Sequence, residues 1–135
     1  MVPQSDYQAF RDSAANAKRL LEQGVLVNTG AHGQREGLGS HWEIWGFVDG
    51  GMSPMQALQA ATIDPARHLG LVHDLGSIES GKLADLLVVD GNPLENIRVT
   101  DHIAYVVQNG RVYEGGTMAE KLSGQRKPQP FYWEK

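Results

Sequence analysis

Apolar positions early in the chain recur at spacings of three and four: Tyr7, Phe10, Ala14, Ala17 and Leu21. That period puts them on one stripe of a helix, with Ser5 in position to cap its start and Gly24 to stop it. A short apolar run, Val25-Leu26-Val27, follows the glycine directly. Helix, tight turn and strand in that order make the αβ half of a βαβ repeat. A loop rich in Gly, His and charge comes next. Ser40-His41-Trp42-Glu43 then reads as a capping box, with Ser40 as cap and Glu43 reaching back to it. Trp42, Ile44, Trp45, Phe47 and Val48 leave the helix that follows little polar face, so burial is expected. Gly50-Gly51 ends it. Ser53-Pro54-Met55-Gln56 repeats the start signal, and Met55, Leu58 and Ala61 form the next stripe. Asp64-Pro65 opens one more short helical turn ending near Gly70.

The pattern changes near residue 75. Leu86-Leu87-Val88-Val89 reads as a strand, residues 103–108 as a second and residues 111–113 as a third. Asn109-Gly110, between the last two, is the strongest short hairpin signal. Helical α/β material therefore gives way to a β finish. The tail from residue 123 is polar and interrupted by proline, yet it carries Phe131, Tyr132 and Trp133, which suggests packing against this chain or a neighbour. There is no internal repeat.

Composition narrows the functional classes. The 135 residues make room for one domain, and a chain of this size buries about two-thirds of its unfolded surface. A net charge of −4 gives no reason to expect nucleic acid or an anionic membrane as partner. No apolar run approaches the ~18 residues of a membrane span. Cysteine is absent, which removes disulfides, thiol ligands and thiol nucleophiles. The start, MVPQSDYQAF, has neither a basic nor an apolar signal-peptide region, and the compartment stays open.

Candidate chemistry concentrates in the loop after residue 27. It holds His32 and His41, with Arg35, Glu36 and Glu43 close by. The spacing of the two histidines matches no compact ligand motif. On residues alone, His32 is a metal ligand or a polar loop residue, and Glu43 is a ligand, a base or a capping residue. His41 sits in the first helical turn, and Arg35 and Glu36 read as solvated. Gly30, Gly33, Gly37 and Gly39 can nest an anion. His68, His73 and His102 do not cluster. The chain has no G-x-S-x-G elbow, Walker loop or G-x-G-x-x-G.

One string is more specific. Residues 75–94, LGSIESGKLADLLVVDGNPL, resemble the C-terminal signature of the amidohydrolase superfamily. AATIDPARHLGL at residues 60–71 resembles the helix leading into it, and residues 103–113 its closing hairpin. The loop GAHGQREGLGSHWE, residues 30–43, is similar to the branch that carries an N-terminal β-propeller of the TolB type. The likeness covers residues 15–115.

The resemblance implies an α/β fold, with the last α/β unit of a (β/α)8 barrel, then helices, then a C-terminal β-hairpin or sandwich portion. Residues 1–72 would be barrel, with residues 25–27 as its eighth strand, residues 73–117 sandwich strands, and residues 118–135 a polar tail. It implies a metal-dependent hydrolase acting on amide-type C–N bonds of small molecules, with a zinc-like divalent metal. The family's ligands are a His-x-His pair on the first strand, a bridging Lys or Glu on the fourth, single histidines on the fifth and sixth, and an Asp on the eighth. Here Gly30-Ala31-His32 stands where the family has Gly-Thr-Asp. His32 is therefore the catalytic and metal candidate, and Arg35, Glu36, His41 and Glu43 are candidates for the substrate loop.

A (β/α)8 barrel needs about 250 residues, and this chain has one barrel strand and no His-x-His. The expectation is a C-terminal piece, inactive alone, binding no stoichiometric metal and self-associating through open strand edges. The parent is expected to be an enzyme that can be exported. The competing expectation is a non-catalytic structural or binding remnant.

Overall fold

In the computed structural model of the chain, residues 4–32 and 37–122 are described, with side chains from residue 8 onward. Four helices precede a small sheet: α1 (Gln4–Glu22), α2 (Leu38–Asp49), α3 (Pro54–Ala60) and α4 (Ile63–His68), then β1 (Leu86–Val89), a 3-10 helix (Ile97–Asp101), β2 (Ile103–Gln108) and β3 (Arg111–Glu114). The chain is of the expected α/β class in this sense, with helices first and strands last.

Local signals set most boundaries. α1 begins at Gln4, so Ser5 lies inside the helix rather than capping it. At its other end Gly24 adopts φ +82°. Its N–H donates to Leu21 O at 2.9 Å and the N–H of Val25 donates to Leu20 O at 3.1 Å. Those two bonds make a Schellman stop, which needs a residue that tolerates positive φ. α3 opens with the expected capping box: Ser53 Oγ accepts from Gln56 N–H at 3.2 Å, and Gln56 Oε1 accepts from Ser53 N–H at 2.9 Å. Its buried stripe is different, however. Ala57 and Ala60 are fully covered while Met55 is exposed, so the small residues face the neighbouring helix. α4 ends before Gly70, also at positive φ.

The core gathers Ile44 of α2, Ala57 of α3 and Ile97 of the 3-10 helix, with Trp45, Phe47, Val48 and Leu58 packed around them. α2 is thus the central element, although Trp42 turns outward, against the expected burial of that side chain. The three strands form one antiparallel sheet in the order β1-β2-β3. β1 pairs β2 from Leu86↔Val107 to Val89↔Ile103, with an irregularity after Val88. Asn109 (φ 48°) and Gly110 (φ 76°) make the tight turn between β2 and β3. Asp85 Oδ1 accepts from the Asn109 N–H at 2.6 Å and ties the turn to the entry of β1.

The strand expected at residues 25–27 is corrected: that segment forms no ladder. A strand is a pairing, and no second strand lies beside it among the described residues. Its flanks are held instead by the Val25 N–H on Leu20 O and by the Thr29 N–H on Ala60 O at 3.0 Å. Val25 and Leu26 are left exposed. The hairpin expected at the C-terminal end forms as written, within a single sheet. Ser5 and Tyr7 as side chains, Arg35 and Glu36, and the aromatic tail residues Phe131, Tyr132 and Trp133 lie outside the described residues. Among the described residues, no helix is long and apolar enough to cross a membrane.

Candidate functional site

The segment that carries His32 is mounted on two helices through three successive residues. Thr29 donates its N–H to Ala60 O, at the C-terminal end of α3. Gly30 donates its N–H to Glu43 Oε2 at 2.6 Å, across 13 residues of sequence. Ala31 packs its methyl against Gly39, where an added Cβ would stand 3.3 Å from the Ala31 Cβ. His32 follows directly and is exposed.

This arrangement replaces the expected capping box at Ser40 and Glu43. α2 starts at Leu38, and its cap position is Gly37 (φ 82°), with no side-chain hydrogen bond. Ser40 is therefore already inside the helix and cannot cap it. Glu43 is left free to point its carboxylate across to the loop. A carboxylate accepting a backbone N–H is a charge-assisted bond, shorter and stronger than a neutral pair.

His41 lies in the first turn of α2, as expected, but its ring faces inward rather than onto a substrate loop. It is buried, its ring lies 6.3 Å from that of Trp45, and its Nδ1 has no hydrogen-bond partner among the described residues. Asn28 Oδ1, at the other entry to the loop, is likewise buried and unpaired among those residues. His68, His73 and His102 are exposed and stand apart from this loop in sequence. The structure thus brings Gly30, Ala31, Gly39 and Glu43 together around the approach to His32. The sequence offered Gly39 only as part of an anion nest and did not point to Thr29, because no local pattern links a loop residue to a helix that starts several positions later.

A polar groove of about 620 Å³ lies elsewhere, lined in part by Arg67, His73, Ser77, Glu79 and Lys82. Its charges are mutually satisfied. Lys82 Nζ is 3.1 Å from Glu79 Oε1 and donates to Ser77 Oγ at 2.5 Å, and Arg67 Nη1 lies 2.7 Å from Asp64 Oδ1. The bond from Ser77 Oγ, with Lys82 beside it, holds the Glu79 carboxyl below the usual carboxylate range. This is a closed ion-pair network at the sheet entry, separate from the histidine loop.

With the geometry laid out, similarity to known proteins decides the family. A model of the amidohydrolase family matches residues 5–114. The chain belongs to the amidohydrolase family. It is 33% identical over 122 residues to an imidazolonepropionase of Shouchella clausii, covering 83% of this chain and 27% of that protein. It is 37% identical over 79 residues to an adenine deaminase of Desulforamulus reducens, covering 58% of this chain and 12% of that one. Among solved structures, a Xaa-Pro dipeptidase with methionine bound in its active site superposes with a TM-score of 0.68 at 40% identity, over 75% of this chain and 25% of its own. The chain therefore spans about a quarter or less of these relatives.

Members of the family are generally metal-dependent. A catalytic zinc-type centre takes about three protein ligands plus an open position. Among the described residues no three His, Cys, Asp or Glu side chains converge. His32 offers one imidazole. The Glu43 carboxylate already accepts the Gly30 N–H. The described donors of this amidohydrolase chain do not by themselves fit a resident metal.

Proposed function

We propose that this chain is the C-terminal part of a metal-dependent amidohydrolase that acts on amide-type C–N bonds of a small molecule. In this reading His32 is the residue it contributes to the reacting centre. The observation that carries the reading is the family match over residues 5–114, together with the mount that holds residues 29–31 and leaves His32 open to solvent. The names of the relatives, an imidazolonepropionase, an adenine deaminase and a Xaa-Pro dipeptidase, support C–N bond chemistry as the class. The loop string at residues 30–43 supports placing the parent in the branch with an N-terminal TolB-type β-propeller. In this reading residues 1–72 correspond to barrel, residues 73–117 to sandwich strands and residues 118–135 to a tail.

An imidazole at the position of His32 can ligate a divalent metal or accept a proton. Alone it supplies too few donors for either role to produce turnover. The isolated chain is accordingly inactive and self-associating, and its partner is a second copy rather than nucleic acid or membrane. A non-catalytic, self-associating structural or binding remnant is the second reading, favoured by the exposed Val25 and Leu26.

Elemental mass spectrometry of the purified chain after exposure to zinc, beside a His32→Ala variant and native mass spectra of both, tests this. The expected result is well below one ion per chain in either sample. One ion per chain, lost in the variant, would show that the chain or its oligomer assembles a site of its own and would overturn the assignment of inactivity.

A further inference from the structure

Each of three consecutive residues before His32 is fixed by a different contact, and only one of those contacts involves a side chain that chemistry can change without altering packing. The Thr29 bond goes to a main-chain carbonyl, and the Ala31 contact is steric. The Gly30 bond goes to a carboxylate. In a complete barrel, such a segment would also be held by ladder bonds to neighbouring strands. Here residues 25–27 form no ladder, and the mount nevertheless keeps its three points. The direction in which His32 leaves the fold is therefore set by α2 and α3 rather than by a sheet.

We propose that Glu43 is the positioning residue of this site: its carboxylate fixes the Gly30 amide plane and, through it and the Ala31–Gly39 contact, the direction of His32. This deepens the functional reading above and rests on it for the role of His32. Glu43 itself touches no reacting group. Its effect is geometric: the bond anchors the peptide plane between Thr29 and Gly30, and the Ala31–Gly39 contact limits the two residues that follow. A site of this kind tolerates little misplacement, since catalytic groups act only when held close to their productive geometry. Gly39 has a matching task. Without a Cβ it lets Ala31 approach α2 closely, and a side chain there would press on Ala31.

Nuclear magnetic resonance on the intact chain reads this directly. The Gly30 amide proton is expected far downfield, as charge-assisted bonds are, and slow to exchange. In Glu43→Ala its shift should move upfield, its exchange should accelerate on the order of tenfold or more, and the order parameter of the His32 amide should fall. Glu43→Gln keeps an acceptor oxygen and should restore most of the His32 order, a rescue that a merely structural loss of packing would not show. Gly39→Ala should displace the His32 amide resonance while leaving the Gly30 proton downfield. An ordinary Gly30 shift in the unaltered chain would overturn the proposal, even if Glu43→Ala failed to fold. So would a His32 order parameter that ignores Glu43→Ala. None of these readouts involves metal or substrate, so they stand or fall separately from the zinc measurement on His32→Ala.

Discussion

An added Cβ at Gly50 would stand 2.6 Å from both the carbonyl carbon and the Cβ of Ala14, and 2.8 Å from the Ala15 nitrogen. Two of those three atoms are main chain of α1, so a methyl there can be accommodated only if the helix moves. Gly46, one turn earlier in α2, meets the ring of Phe10 instead. That ring is 42% exposed and can rotate away. The two glycines look equivalent in sequence, yet they differ in what must yield. Gly50→Ala is expected to lower the unfolding free energy by about 1–3 kcal/mol, as overpacking does. Gly46→Ala should cost clearly less. Urea midpoints of the two variants give the order, and a larger loss at Gly46 would mean that Phe10 is more firmly seated than its exposure implies. Backbone close approach of this kind leaves no pattern in a sequence beyond the glycine itself, which Gly50-Gly51 had already explained as a helix stop.

Elements became legible in the sequence where their signals were local. The capping box at Ser53 and Gln56, the stop at Gly24 and the turn at Asn109-Gly110 each depend on a few adjacent residues, and each forms. Ser40 and Glu43 have the same spacing as Ser53 and Gln56, but the helix had already begun at Leu38, so that pair was free for another use. Residues 25–27 failed as a strand for the opposite reason: a strand needs a partner from elsewhere, and apolar composition cannot supply one. The contact that joins α2 to the 3-10 helix was equally hidden. Trp45 Nε1–H donates to Thr100 Oγ1 at 2.9 Å, Thr100 donates to Ile97 O at 3.0 Å, and the Arg98 guanidinium lies 4.8 Å from the Trp45 ring centroid while pairing with Asp49 at 2.9 Å. Thr100→Val keeps the shape and strands a part-buried indole N–H, at a cost of about 1–3 kcal/mol. In the Trp45→Phe background the same change should cost measurably less, because the donor is gone. Equal costs in both backgrounds, read by chemical denaturation, would mean that the bond does not couple the two elements.

For the molecule as a whole, large apolar side chains stay exposed along the described residues, from Phe10 in α1 to Leu122 beyond β3. Phe10, Leu20, Val25, Leu26, Leu38 and Trp42 are all large hydrophobic side chains left exposed. Scattered exposed apolar residues are ordinary on a folded surface. Val25 and Leu26 are different, because they sit on a segment whose backbone forms no ladder, and unpaired backbone beside apolar side chains is a template for pairing with another chain. The family relatives are several times longer than the stretch this chain matches. On the functional reading proposed above, copies of the isolated chain associate through this segment. Sedimentation velocity over a rising concentration series should show monomer giving way to dimer or larger species. Replacing Leu26 by Lys should move that transition to higher concentration, since a charge on an open edge must be desolvated for the edge to pair. Exchanging the more exposed Leu122 for Lys, beyond β3 and on no unladdered segment, should leave it in place. A chain that stays monomeric throughout, or two lysine variants that behave alike, would mean that the surface around residues 25–26 is closed by the chain itself.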